Sequence, residues 1–232
     1  MSAWLITAAM RAEAKLLTPR LSRIDDIGRK TAYEGELAGR EVLLMLTGMG
    51  QVNAAQATTA ALETRPHIAA VLNLGCAGAY ASSGLELGSA AIATEVVFAD
   101  LGVRAKGSLR DFSLVGIPLC TGHDGDELYN RLPCDPGLTE EIAAANPGIA
   151  RGGFATVERI SGDAEAAQAV AARWGAIMEE MEGAAVGLVA LHYAKPFAAL
   201  RGVSNMAGHR ELDVALGGEA AARALLNLEA RA

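Results

Sequence analysis

Ala69-Ala70-Val71-Leu72-Asn73-Leu74-Gly75-Cys76-Ala77-Gly78 (AAVLNLGCAG, residues 69–78) is an apolar run that closes in small residues. Apolar side chains at successive rather than alternate positions predict a strand, Ala69 to Leu74, buried on both faces. The Gly and Ala that follow leave the main chain bare at the carboxyl end of that strand. Open α/β sheets place ligands there, and a flat ring can approach bare backbone closely. The same small residues also suit a tightly packed turn.

Similar short runs predict strands at Leu5 to Ala9, Val42 to Leu46, Ala90 to Val97, Phe154 to Ile160 and Phe197 to Val203. Between them lie segments that read as helices: Glu13 to Leu21, Val52 to Thr64, Thr139 to Ala145, Ala164 to Trp174, Gly183 to Tyr193 and Glu219 to Ala230. This alternation predicts an α/β fold, a sheet covered by helices. From Asp100 to Pro136 the periodicity fades, which predicts loops with one edge strand. A chain of 232 residues, 51% hydrophobic, can bury one substantial core, so a single domain over 1–232 is expected.

The net charge of −7, with no stripe of Lys or Arg, argues against nucleic acid or an anionic membrane as partner. Three cysteines, Cys76, Cys120 and Cys134, are odd in number and lack metal spacing, which fits a reducing compartment. Trp4 to Met10 has no basic region before it and reads as a first strand, not a signal peptide. Asn73, Ser82, Ser83 and several glycines interrupt the uncharged stretch from His67 to Leu85 too often for a membrane span. A cytoplasmic protein is the expectation.

Two acids and an amide carry the chemical reading. Glu182, in Met181-Glu182-Gly183, stands where an apolar helix begins. It can complement the helix dipole, or it can accept two sugar hydroxyls. Glu13, just past the first strand, has the same two readings: a dipole partner, or a base that activates water. Asn205 follows Ser204 directly after a buried strand, where an amide can read a purine edge or simply form a turn. Thr47-Gly48-Met49-Gly50 lacks the remaining residues of a dinucleotide or P-loop motif and reads first as a tight strand-to-helix turn. His123-Asp124-Gly125-Asp126-Glu127 crowds metal-type side chains without recognisable spacing and reads as a solvated loop. Cys76 has no histidine in a partnering segment and reads as an inert thiol.

Taken in order, AAMRAE (8–13), TGMGQVNAA (47–55), NLGCAG (73–78), SGD (161–163), MEGAAV (181–186) and RGVSN (201–205) resemble the nucleoside phosphorylase/hydrolase superfamily. Within it, they are most similar to the nucleosidases acting on methylthioadenosine, S-adenosylhomocysteine and futalosine. The resemblance implies a three-layer α/β/α fold around a mixed, partly barrel-like sheet, and hydrolysis of an N-glycosidic bond without cofactor or metal. It places Glu13 as the water-activating acid, Met181 and Glu182 at the ribose, Ala77 and Gly78 near the base, and Ser204 as the hydroxyl orienting Asn205. It also implies a homodimer or higher homo-oligomer, with the 100–120 stretch as the candidate for completing a neighbour's pocket.

The adenine-specific branch has an aspartate where this chain has Asn205, an acid where it has Arg11, and usually a serine where it has Cys76. RGVSN followed by Gly208, Arg210 and Glu211 looks more like the branch that releases hypoxanthine on a menaquinone biosynthetic route. An amide can donate to a 6-keto oxygen and accept from a protonated N7, whereas a carboxylate repels that oxygen. Arg104, Lys106 and Arg110 are candidate cations for a benzoate at the 5′ end. The alternatives are an adenine-releasing nucleosidase and, from another class, a non-catalytic nucleoside-binding module.

Overall fold

The computed structural model describes residues 3–122, 125–209 and 211–231. Its strands are β1 (Ala3–Ala8), β2 (Ser22–Ile27), β3 (Lys30–Leu37), β4 (Arg40–Leu46), β5 (Ile68–Ala79), β6 (Ala90–Phe98), β7 (Val103–Ala105), β8 (Ser108–Arg110), β9 (Cys120–Thr121), β10 (Glu127–Leu128), β11 (Arg131–Pro133), β12 (Ala150–Thr156), β13 (Ala176–Glu180) and β14 (Phe197–Met206). The α-helices are α1 (Gln51–Thr64), α2 (Pro136–Ala144), α3 (Ala164–Trp174), α4 (Gly183–His192) and α5 (Val214–Leu226). No helix among the described residues is long and apolar enough to cross a membrane.

The long strand β5 organises the sheet. Its first half pairs in parallel with β1, and β4, β3 and β2 extend the sheet from there. From Val71 to Ala79 it pairs in parallel with β14, and its end, Gly78 and Ala79, lies antiparallel to β13. Because β14 also pairs β6, β6 pairs β12 and β12 pairs β13, the strands β5, β14, β6, β12 and β13 close a barrel. The sheet is therefore mixed and partly closed, as the resemblance implies.

Successive residues of β5 bury on opposite faces. Val71 and Ala77 pack in the cluster containing the alanines of α1 and α4. Leu72 and Leu74 pack in the cluster containing Leu138 and Ile142 of α2 and Ala221, Ala222 and Leu225 of α5. Helices thus cover both faces, and each fully buried leucine contributes about 1.5–3 kcal/mol. That double burial is why the strand reads as a continuous apolar run.

Several expectations need correction. Glu13 to Leu21 is not an α-helix but consecutive turns ending in a 3-10 turn at Thr18–Arg20, with Pro19 inside it. The strand expected at Phe154 to Ile160 lies four residues earlier, and β2, β3 and β13 are additional. The expected helix Glu219 to Ala230 starts at Val214 and tightens to 3-10 from Asn227. The 100–136 stretch holds short strands β7 to β11 rather than one. His123 and Asp124 of the crowded metal-type segment, and Arg210, lie outside the described residues.

Candidate active site

Glu13 sits in the turn after β1, where its N–H donates to Met10 O at 3.1 Å, so no helix begins there for it to complement. Its carboxylate is buried and reaches the end of β5. Oε1 accepts the Cys76 N–H at 2.9 Å and Oε2 the Met10 N–H at 3.1 Å. Gly75 makes that approach possible, because a Cβ there would lie 2.6 Å from Glu13 Oε1. Burial and the adjacent Glu13 charge push the Cys76 thiol up to about 12, so it stays a thiol, consistent with an inert role.

Glu182 is also buried at the residue preceding α4, and its side chain makes no capping bond to that helix. Its Oε1 instead accepts the N–H of Gly50 at 2.7 Å. Gly48 and Gly50, with φ of +85° and +90°, adopt a backbone that favours glycine and aims this N–H out of the strand-to-helix turn. Burial, followed by the charge of Glu180, pushes Glu182 up to about 7; Arg201 and the Gly50 N–H oppose the rise. One donor leaves most of a carboxylate's acceptor capacity free.

A buried network supports these acids. Arg201, 1% exposed in the middle of β14, donates to Glu180 Oε2 at 2.6 Å, to Asn73 O at 3.0 Å and to Asn73 Oδ1. Asn73 in turn donates to the Thr7 hydroxyl at 3.0 Å. Burial opposes the Arg201 charge, but Glu180, Glu182 and Glu13 outweigh it and raise its pKa. Its Nε has no hydrogen-bond partner among the described residues. Sequence reading missed Glu180 and gave Arg201 no role. The available signal was a charged residue inside an apolar run, which requires a buried partner.

Asn205 pairs with Gly78 across β5 and β14, where a bulge at Ser204 re-aims the strand. Its Nδ2 donates to Met206 O at 3.1 Å and His209 O at 3.2 Å. The Ser204 hydroxyl lies 2.9 Å from Asn205 Oδ1 and 3.1 Å from Ala77 O. A Cβ on Gly78 would stand 3.3 Å from Asn205 Nδ2, so the bare backbone there lets the amide lie flat against β5. Two facing carbonyls require the NH2 side, which fixes the amide's orientation.

Glu13, Ala77, Gly78, Met181, Glu182, Ser204 and Asn205 therefore gather at or just beyond the carboxyl ends of β1, β5, β13 and β14. Two acids, an amide and bare backbone converge there, an arrangement able to hold a polyhydroxylated ring beside a flat heterocycle. Arg104, Lys106 and Arg110 are exposed on the β7–β8 hairpin and pair with no acid among the described residues. A surface depression of about 770 Å³ at Arg23–Asp26 lies on edge strand β2, four strands from β5. It holds no convergence of this kind, so chemistry rather than volume marks the site.

The model of the phosphorylase superfamily matches residues 4–231. Futalosine hydrolase of Thermus thermophilus is 37% identical over 209 residues, covering 90% of this chain and 85% of that protein. The 5′-methylthioadenosine/S-adenosylhomocysteine nucleosidase of Bacillus thuringiensis is 32% identical over 206 residues, covering 88% and 85%. The corresponding nucleosidase of Neisseria meningitidis, solved with methylthio-immucillin-A, superposes with a TM-score of 0.82 at 25% identity over 99% of this chain and 100% of that one. With the family model spanning nearly the whole chain, this protein belongs to the phosphorylase superfamily.

Proposed function

We propose that this protein hydrolyses the N-glycosidic bond of a 6-oxopurine nucleoside, with futalosine as substrate and hypoxanthine and dehypoxanthine futalosine as products. The observation that carries the reading is the carboxamide of Asn205, fixed by Met206 O and His209 O beside Ala77 and Gly78. Oδ1 keeps a lone pair to accept N7–H of the departing base, and an N–H shared with His209 O serves the purine O6. Matched bidentate base contacts discriminate by about 1–3 kcal/mol. The higher identity to the Thermus futalosine hydrolase than to the Bacillus nucleosidase points the same way.

N7 takes up a proton from solvent as the C1′–N9 bond breaks with its electron pair going to the base; Asn205 accepts that N7–H and supplies no proton itself. Water then bonds to C1′ from the opposite face and gives its proton to Glu13. Glu182, ionised, accepts the 2′ and 3′ hydroxyls and places negative charge beside the sugar cation as it develops. Met181 lies against the ribose, Ala77 and Gly78 present backbone to the base, and Ser204 holds Asn205. No cofactor or metal enters this scheme. The protein acts as a homodimer, through the exposed apolar residues Met49, Val52, Leu114, Val115 and Ile117.

The test is incubation of purified protein, without phosphate, with futalosine, inosine, methylthioadenosine and S-adenosylhomocysteine, identifying the released base. Hypoxanthine from futalosine is expected. Predominant adenine release would assign the adenine nucleosidase activity of the Bacillus relative, phosphate-dependent turnover a phosphorylase, and binding without turnover a nucleoside-binding module.

A further inference from the structure

The first backbone N–H groups of α4 are not satisfied by Glu182, the residue preceding the helix. They are taken by a second acid two residues earlier. Glu180 Oε2 accepts the N–H of Glu182 at 2.8 Å and of Gly183 at 2.6 Å. Its other oxygen accepts the Thr156 hydroxyl, which itself accepts the Ala184 N–H at 2.8 Å. Gly183 is shaped to this arrangement. A Cβ there would lie 2.8 Å from Glu180 Oε1, although its φ is not in the left-handed region.

We propose that Glu180, neutralised by Arg201, is a positioning residue for Glu182. It occupies the helix N-terminus so that the Glu182 carboxylate is turned away from α4 and towards Gly50 and the sugar. The proposal rests on the ribose-binding reading of Glu182. Helix N-terminal N–H groups bind whatever carboxylate reaches them. With Glu180 removed, Glu182 is the acid next in line to fold back on its own helix and abandon the ligand. The charged groups around Glu182 are Glu180 on β13, Arg201 on β14 and Glu13 after β1; removing the Glu180 charge leaves Arg201 acting on Glu182 unopposed by it.

Two variants test this, assayed on whichever of futalosine and methylthioadenosine the parent turns over. Glu180→Gln is expected to lower plateau kcat/KM by about ten- to a hundred-fold. It should also move the acidic limb of the pH profile down by about half a unit or more. Gly183→Ala keeps every charge and improves helix propensity, yet pushes the Glu180 carboxylate aside, so it should lose plateau kcat/KM to a similar extent. A folded Gly183→Ala variant with parental kcat/KM overturns the proposal, even if Glu180→Gln fails to fold. A folded Glu180→Gln variant with parental plateau and acidic limb overturns it too. Glu182→Gln separates the two readings: full activity there removes the ribose role itself, whereas lost activity with both other variants intact removes only the positioning role.

Discussion

Glu182 shows how a site side chain can be costly to the fold that holds it. Its ordinary carboxyl value near 4.5 rises to about 7, so the folded state binds more protons than the unfolded state between those values, and stability falls as pH rises through that window. Glu182→Gln removes this penalty: its Tm should match the parent at pH 4 and exceed it by roughly 7 °C at pH 8, while turnover is lost. A Tm difference independent of pH in calorimetry would contradict that. For the same reason kcat/KM of the parent should decline as pH drops below about 7, because the ionised form is the one proposed to hold the sugar. At position 205 an acid would face the carbonyls of Met206 and His209, which favours its protonated form. Asn205→Asp should therefore shift preference towards 6-aminopurine nucleosides, most strongly at acidic pH; an unchanged ratio of adenosine-type to inosine-type turnover would count against base reading by this side chain. The candidate acids Glu13 and Glu182 are legible in the sequence because each stands at the edge of an apolar run, Glu13 just after β1 and Glu182 just before α4. Glu180 is not, because Glu179-Glu180 looks like a solvated pair until Ser161 and Tyr80 are seen to bind the first and Arg201 the second.

Local signals at the elements decide which ones the sequence reveals. Helix α3 is legible to the residue because Asp163 accepts the Ala166 N–H at 2.8 Å at its start and Gly175, φ +64°, ends it. Strand β12 is misplaced by sequence reading because Gly152 and Gly153 look like a turn. Here they permit close packing: a Cβ at Gly152 would stand 2.7 Å from Ile177 Cγ2. The β2–β3 hairpin is hidden by its charged, exposed β2 and by a turn whose Arg29 takes φ +63°. Glu13 to Leu21 fails as a helix because the chain must turn sharply to carry Glu13 back to β5, and Pro19 holds the following 3-10 turn. The strand that decides the fold also makes room, at Gly75, for the carboxylate of Glu13. Gly75→Ala, whose backbone needs no left-handed conformation, should displace the Glu13 carboxylate, lowering kcat by about ten- to a hundred-fold with a stability cost of about 1–3 kcal/mol. Steady-state kinetics at saturating substrate check this, and an unaltered kcat would show that Glu13 acts from elsewhere.

At the scale of the whole molecule, closing five strands into a barrel aims the carboxyl ends of β5 and β14 at one region, while leaving the outer surface around α1 and residues 112–119 uncovered. Val52 is 82% exposed and Ile117 65% exposed, and Met49 beside Gly50 adjoins the turn that reaches Glu182. Large exposed apolar side chains mark candidate interaction sites, and α1 carries its exposed valine in the first turn, close to Gly50, whose N–H reaches Glu182. Aspartate at position 52 would complement the α1 dipole by about 0.3–1 kcal/mol, so Val52→Asp should fold as well as the parent. In a desolvated interface the same charge is expelled. Light scattering across a dilution series should therefore show a dimer for the parent and a monomer for Val52→Asp or Ile117→Asp. If the 100–120 stretch of one subunit completes the pocket of the other, as the resemblance implies, activity per chain should fall with dissociation. Variants that remain dimeric would place the interface on another face, and a fully active parental monomer would end the shared-pocket reading altogether.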